Sequence, residues 1–431
     1  MTSRPSVPFD STRRATIAAA ALAPFAASSL ASSIFSQPRA DTLRVGVIGC
    51  GGRGTGAAVD ALTAGQDVRI VALADLFQDR LDSAKNGLKE HDAARATVDD
   101  AMCFVGFDAY KEVLKADVDI VICATAPGFR PLHVAAAVNA GKHVFMEKPC
   151  AVDGHGIRMV LDAAKVADAK KLCVVAGTQR RRQVNYREAM QRIHAGDIGQ
   201  IVAARCYWNQ GGLWNVEPQS GRSDVENQVR NWLYHSWLSG DHIVEQHVHQ
   251  LDVLCWAFRG HPMRVNGVGG RQVRTDPKFG HIFDHFGLEY IWSGAPEYGD
   301  VFALSMCRQQ DGTASKVEEI LSGTEGVASL RPGYARITGK KAWQFEGADP
   351  NPYVEEHRDL QDAIRTGRHV NDMVQIAEST MTAIMGRMAA YSGQEVTWEQ
   401  AMASEDRLMP ESIEFGERPV APVALPGRTK L

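Results

Sequence analysis

The stretch Leu43 to Gly54, LRVGVIGCGGRG, constrains the fold more than any other part of the chain. An apolar run ends in a turn where Gly49, Gly51 and Gly54 stand at G-x-G-x-x-G spacing, with Gly52 beside them, and a helical pattern follows at once. In such a turn the first glycine permits the tight bend and the second lets the backbone approach a pyrophosphate. The third lets helix and strand pack closely. The next apolar run, VRIVALAD, ends in Asp75, 21 residues after Gly54. A carboxylate there grips ribose hydroxyls and repels a 2'-phosphate, so the pattern predicts NAD in preference to NADP.

The alternation continues. VDIVICAT, HVFMEKP and KLCVVAG read as short buried strands, with helical segments such as RPLHVAAAVNAG between them. Strands separated by helices predict an α/β fold with an N-terminal Rossmann, doubly wound parallel sheet. At 431 residues the chain is too long for one ordinary core, so a second domain follows. A formal net charge of -4, with no basic run beyond Arg180 to Arg182, argues against a nucleic-acid partner. Eight scattered cysteines without a CxxC pair read as free buried thiols rather than a disulfide framework.

The N-terminus has its own pattern. Arg13 and Arg14 precede an Ala-rich apolar segment, Ile17 to Leu30, and the small-residue stretch SLASS. This predicts a signal peptide over residues 1–40, and the paired arginines point to the twin-arginine route, although Thr16 stands where a large apolar residue is usual. Pro24, Ser28 and Ser29 interrupt the segment, so no membrane span is expected. The expected location is the periplasm, or the cytoplasm if the segment does not act as a signal.

CATAPGFRPLH and MEKPC each follow a strand, which places Thr125, Pro127, Glu147 and Lys148 at strand carboxyl ends, where open sheets bind ligands. With these motifs the chain resembles the Gfo/Idh/MocA oxidoreductase family from residue 43 to about 403. The resemblance implies an NAD-binding domain over 41–150, closed by the E-K-P segment, in which Lys148 polarises the reacting hydroxyl or carbonyl. It also implies a substrate-binding α+β domain over 151–403 with a large open, mainly antiparallel sheet, and a tail over 404–431. The C-terminal helices would pack back on the first domain.

SGDHIVEQHVHQLDVLCW, Ser239 to Trp256, is the densest polar stretch of the second domain. Read as one helix, Val244, Val248, Leu251 and Cys255 form an apolar stripe beside a line of Glu245, His249 and Asp252. Acid, imidazole and acid on a rigid element suit acid/base chemistry. The family pattern D-x-x-x-H-x-x-D implies proton exchange by His249. Here Glu245 replaces the first Asp, and His247 stands where Gly is common. A competing reading makes His242, Glu245, His247 and His249 metal ligands, but His247 and His249 cannot share one helix face, so no metal site is expected. GTQRRRQVNY is similar to the family's frequent G-x-N/Q-x-R, and the resemblance implies that Gln179 and Arg180 face the substrate cleft. Arg181 and Arg182 are expected to be solvated or paired. Among Trp208, Trp214, Trp232, Tyr234 and Trp237, with Asn209 and Gln210 nearby, aromatic faces suit sugar rings, and Trp214 joins Asp252 and His247 as a candidate substrate contact.

Together these features predict an NAD(P)-dependent oxidoreductase that transfers hydride at a CH–OH or C=O carbon of a sugar, cyclitol or glycoside. The catalytic set is Lys148, His249 and Glu245, the NAD is tightly bound, and the chain forms a homo-oligomer, a dimer or tetramer. A redox-neutral NAD-dependent glycosidase and a non-catalytic sugar sensor are the other readings.

Overall fold

A computed structural model describes residues 42–430; the expected signal peptide lies outside the described residues. Six parallel strands form the first sheet: β1 (Leu43–Ile48), β2 (Val68–Asp75), β3 (Cys103–Val105), β4 (Ile120–Cys123), β5 (His143–Met146) and β6 (Val174–Ala176). Their order, β3-β2-β1-β4-β5-β6, is that of a Rossmann sheet. The strands are apolar on both faces because helices cover both, which is why they read as continuous hydrophobic runs rather than alternating ones. One correction concerns the expected boundary at residue 150. The parallel sheet runs past it, because β6 needs the crossover helix Gly154–Lys170 to return alongside β5.

The second sheet has nine strands: β7 (Ile201–Gln210), β8 (Arg264–Gly270), β9 (His285–Trp292), β10 (Val301–Gln309), β11 (Lys316–Gly323), β12 (Gly326–Arg331), β13 (Tyr334–Gly339), β14 (Trp343–Gln344) and β15 (Val396–Thr397). Its order is β14-β13-β12-β11-β7-β10-β9-β8-β15; only β7 and β10 run parallel, so the sheet is mixed and mainly antiparallel. Along β10 the burial alternates, with Ala303 and Ser305 inside and Phe302, Leu304 and Met306 outside. One face is therefore packed under helices and the other is open.

Two late helices join the domains. Pro352–Thr366 lies on helix Gly52–Ala64: Leu360 and Ala363 share a core with Ala57, Ala61 and Leu62, and Gln361 Nε2 donates to the Ala61 carbonyl at 2.9 Å. Met373–Ser392 is buried along most of its length, which explains its weak amphipathic pattern. No helix among the described residues is long and apolar enough to cross a membrane.

Candidate active site

The glycine turn is set by backbone demands. Gly49 has φ +95°, and a Cβ there would lie 2.6 Å from the Thr125 amide nitrogen. A Cβ on Gly54 would lie 1.7 Å from the Gly49 carbonyl oxygen, so only glycine lets helix Gly52–Ala64 press against the turn. Gly51 and Gly52 differ, since nothing lies within 4 Å of a Cβ added at either. They leave an open cradle at a helix N-terminus that has no side-chain cap and no acidic residue in its first turn. Free N–H groups and the positive end of the helix dipole fit a pyrophosphate.

Asp75 ends β2 beside this cradle. Its Oδ2 accepts from Cys50 N at 2.7 Å and its Oδ1 from Phe77 N at 2.9 Å. Burial holds its carboxyl above the usual range, against these two backbone bonds. Gly49, Gly51, Gly52, Asp75 and Thr125 line a cleft of about 570 Å³. Thr125 Oγ1 lies 3.1 Å from His133 Nδ1, while Pro127 is buried in the turn Pro127–Phe129. The residues present fit a dinucleotide.

The reacting end lies past the carboxyl end of β5. Glu147 is buried; its Oε1 accepts from Arg53 Nε at 2.5 Å and its Oε2 from the Lys148 amide at 3.1 Å. Buried and held by Arg53 and by the Lys148 amide, Glu147 braces the turn to Lys148, whereas Asp75 keeps an accessible edge on the cleft. Lys148 Nζ donates to Glu245 Oε1 at 2.9 Å and to the Glu245 carbonyl at 2.7 Å. His249 is buried and stacks on Trp208, ring centroids 5.6 Å apart. Burial first, then the cations Lys148 and Arg180, push its pKa well below the ordinary value, so the imidazole is neutral. A neutral base beside an ammonium is an arrangement that can take a proton from a hydroxyl and stabilise the oxygen left behind.

The structure separates residues that the sequence placed together. Ser239 to Trp256 is not one helix. Gly240 and Asp241 have φ +77° and +72°, a single turn His242–Glu245 follows, and the long helix is Val248–Phe258. Positive φ at Gly240 and Asp241 starts the helical part only at His242, and the break at Gln246–His247 separates Glu245 from His249 and Asp252, which share the helix Val248–Phe258. Asp252, expected at the substrate, is enclosed instead: Arg181 Nε donates to its Oδ2 at 2.9 Å, and Gln375 and Ser379 each donate to Oδ1 at 2.6 Å. His247 is likewise corrected to a core histidine, fully buried with Nε2 2.7 Å from Ser305 Oγ and its pKa pushed down to about 3 by burial. Arg180 is buried beneath Trp208, 5.4 Å from that ring and 3.0 Å from Glu319. It acts on the site through its charge on His249. Gln179 lies half-buried in the short helix Gln179–Arg182, with its Oε1 buried and unpartnered. Trp214, 47 % exposed, sits on the cleft wall across from the glycine turn. Among the described residues no group of three or more His, Cys, Asp or Glu is placed to hold a metal.

Sequence reasoning missed Arg53, whose partner Glu147 is 94 residues away, and Gln246. Gln246 Oε1 accepts from Gln309 at 2.6 Å and Gln210 at 3.2 Å, so what it retains for a ligand is N–H. Arg53 stands inside the glycine turn, where a cation was the available signal. Gln246 left none, because its partners come from two strands of the second sheet.

Comparison with known proteins agrees with this geometry. Residues 43–177 match the NAD-binding Rossmann fold of the GFO_IDH_MocA oxidoreductase family, and residues 186–315 match the GFO/IDH/MocA C-terminal domain. The chain belongs to the Gfo/Idh/MocA family. Within the family it is 29% identical over 243 residues to inositol 2-dehydrogenase 3 of Saccharopolyspora erythraea, covering 56% of this chain and 61% of that one. The chain therefore spans less than two thirds of that relative. In fold it is similar to a levoglucosan dehydrogenase in complex with NADH and levoglucosan, with TM-score 0.65, 16% identity, and 84% and 100% of the two chains covered. A scyllo-inositol dehydrogenase from Lactobacillus casei with NAD(H) and scyllo-inositol bound gives TM-score 0.61 and 20% identity, covering 83% and 100%.

Proposed function

We propose that this protein is an NAD-dependent oxidoreductase acting on a CH–OH group of a cyclitol or sugar. One observation carries the reading: neutral His249 and the Lys148–Glu245 pair stand together beyond the cradle that fits a dinucleotide. Gly51 and Gly52 would hold the pyrophosphate and Asp75 the ribose hydroxyls. When bound, NAD supplies the hydride acceptor. His249 accepts the hydroxyl proton as the C=O bond forms. Lys148 donates to the same oxygen and stabilises the charge that develops on it, while Glu245 holds the ammonium in place. Arg53 steadies Lys148 through Glu147. The amide N–H of Gln246 would meet a further substrate oxygen, as a polyol offers. Cyclitols head the substrate panel because a relative and a fold neighbour are inositol dehydrogenases.

The proposal extends to a tightly held NAD, to export by the twin-arginine route with the cofactor already loaded, and to a homo-oligomer. Twin-arginine signals serve folded proteins, and a dehydrogenase that exchanged its cofactor outside the cell would meet no soluble supply.

The test is a panel of inositols, aldoses and glycosides, assayed for oxidised product and for reduced cofactor, bound or free, with NAD or NADP supplied. Lys148→Ala and His249→Ala should each lower turnover by about 100-fold or more, the usual loss on removing one group aimed at developing charge, with NAD binding retained. Near-normal turnover in either variant removes that residue from the mechanism, and no turnover of any polyol by the unaltered protein overturns the reading.

A further inference from the structure

The dinucleotide cleft has a second wall that the Rossmann domain does not supply. Facing the glycine turn and Asp75 are Trp214, Asn215, Val216, Val229, Arg230 and Trp232, all from the segment after β7. A parallel sheet alone leaves this side of its strand ends open.

This segment is fastened to the first domain at the β2 end of the cleft. Arg230 donates from both terminal nitrogens to Asp79, each at 3.0 Å, and its guanidinium lies 3.8 Å over the Phe77 ring. The C-terminal tail then crosses the same place. Phe415 stacks on Phe77 at 6.2 Å and packs against Phe107 at 5.0 Å. The Val225 amide donates to the Gly416 carbonyl at 3.2 Å, and the Arg418 amide to Asp224 Oδ2 at 2.9 Å. Further back, the Leu408 amide donates to Asp153 Oδ2 at 2.8 Å. Phe77, Phe129, Val229 and Trp237, with Met409 and Ile413 against them, form a small apolar core of their own, separate from those of the two sheets.

We propose that the Arg230 segment and the tail over residues 405–418 form a latch that retains NAD in the cleft. The inference rests on the NAD reading above and assigns part of the cofactor's binding to the second domain and to the tail. The tail has no helix or strand, and the chain spends it on closing this edge. For the nucleotide to leave, the Arg230–Asp79 pair and the contacts of half-exposed Phe415 with Phe77 and Phe107 must part. An ion pair with a solvent-exposed member contributes little by itself, so the aromatic contact shares the hold.

The test follows release of NADH from the full-length protein, chased with excess NAD. Trp214 and Trp232 in the cleft wall report bound NADH by energy transfer. Arg230→Gln, which loses the Asp79 pair and the stack on Phe77 together, and Phe415→Ala should each release NADH about two- to fivefold faster, the range of an exposed ion pair or one aromatic contact, and should lose nucleotide on dialysis. In the unaltered protein, amide exchange over 405–418 and 223–230 should slow when NADH is added, a measurement that needs no variant. NADH that binds but leaves both variants at the original rate, or leaves amide exchange in these segments unchanged, overturns the latch alone. Failure of the unaltered protein to bind NAD(H) at all overturns the cofactor reading and the latch together.

Discussion

Asp75 shows how much one side chain does at the cleft. It is the carboxylate that we propose meets the ribose, and it also ties the glycine turn to the loop after β2 through Cys50 and Phe77. Asp75→Ala should therefore weaken NAD by about 1.5–3 kcal/mol, the range for hydrogen bonds to a charged group, and narrow the preference over NADP. Asp75→Asn keeps an acceptor for the turn and separates the two effects: its turn should survive while NADP discrimination falls. Titration of both cofactors against the three proteins checks this, and unchanged NAD affinity in Asp75→Ala would remove Asp75 from the cofactor site.

At the scale of the element, the helix Val248–Phe258 is shared between chemistry and architecture. His249 on its first turn faces Lys148 and Trp208. Asp252, three residues on, points to Arg181 and to Gln375 and Ser379 of helix Met373–Ser392, locking two helices and the turn Gln179–Arg182 together. Removing one partner of a buried pair leaves the other charge uncompensated, so Asp252→Ala should lower stability by about 3–5 kcal/mol. Its effect should fall on the denaturation midpoint, with KM for substrate unchanged in the fraction that remains folded. A raised KM without lost stability would return Asp252 to the substrate. The i, i+4, i+7 spacing of Glu245, His249 and Asp252 was correct as arithmetic. Its use failed at Asp252, because spacing along one helix does not show that Arg181, Gln375 and Ser379 arrive from elsewhere in the chain to take that carboxylate.

At the scale of the whole molecule, buried histidines set a pH dependence. Burial pushes His133, His235, His247 and His357 down to about 3, and His143 and His281 to about 4. Unfolded, each takes a proton near pH 6.5; folded, each refuses it until far lower. Stability is therefore lost as pH falls through about 6.5, by up to about 1.4 kcal/mol per pH unit for each histidine. Asp241 and Glu319, raised by burial to about 6 and 7, and Glu356, pushed by burial well above its ordinary value, act in the opposite sense, gaining stability over part of the same interval, but they are fewer than the histidines. The denaturant midpoint should fall steadily between pH 6.5 and 5. A flat profile over that window would mean that these histidines are hydrated in the native state.

The sequence by itself determined the first domain and its cradle. A glycine that needs positive φ, another that must let a helix touch a turn, and runs of apolar residues hidden on both faces are local requirements, and local requirements leave a pattern in neighbouring residues. It also determined that Glu147 and Lys148 follow the end of a strand. Whether a polar group serves the reaction or the core depends instead on what arrives from elsewhere in the chain. Arg181 claims Asp252, Ser305 claims His247, and Arg53 claims Glu147 across separations that no motif spans. The second wall of the cleft is decided in the same way. Arg230 meets Asp79 across 151 residues, and Phe415 reaches Phe77 from near the C-terminus, so closure of the site belongs to the tertiary structure alone.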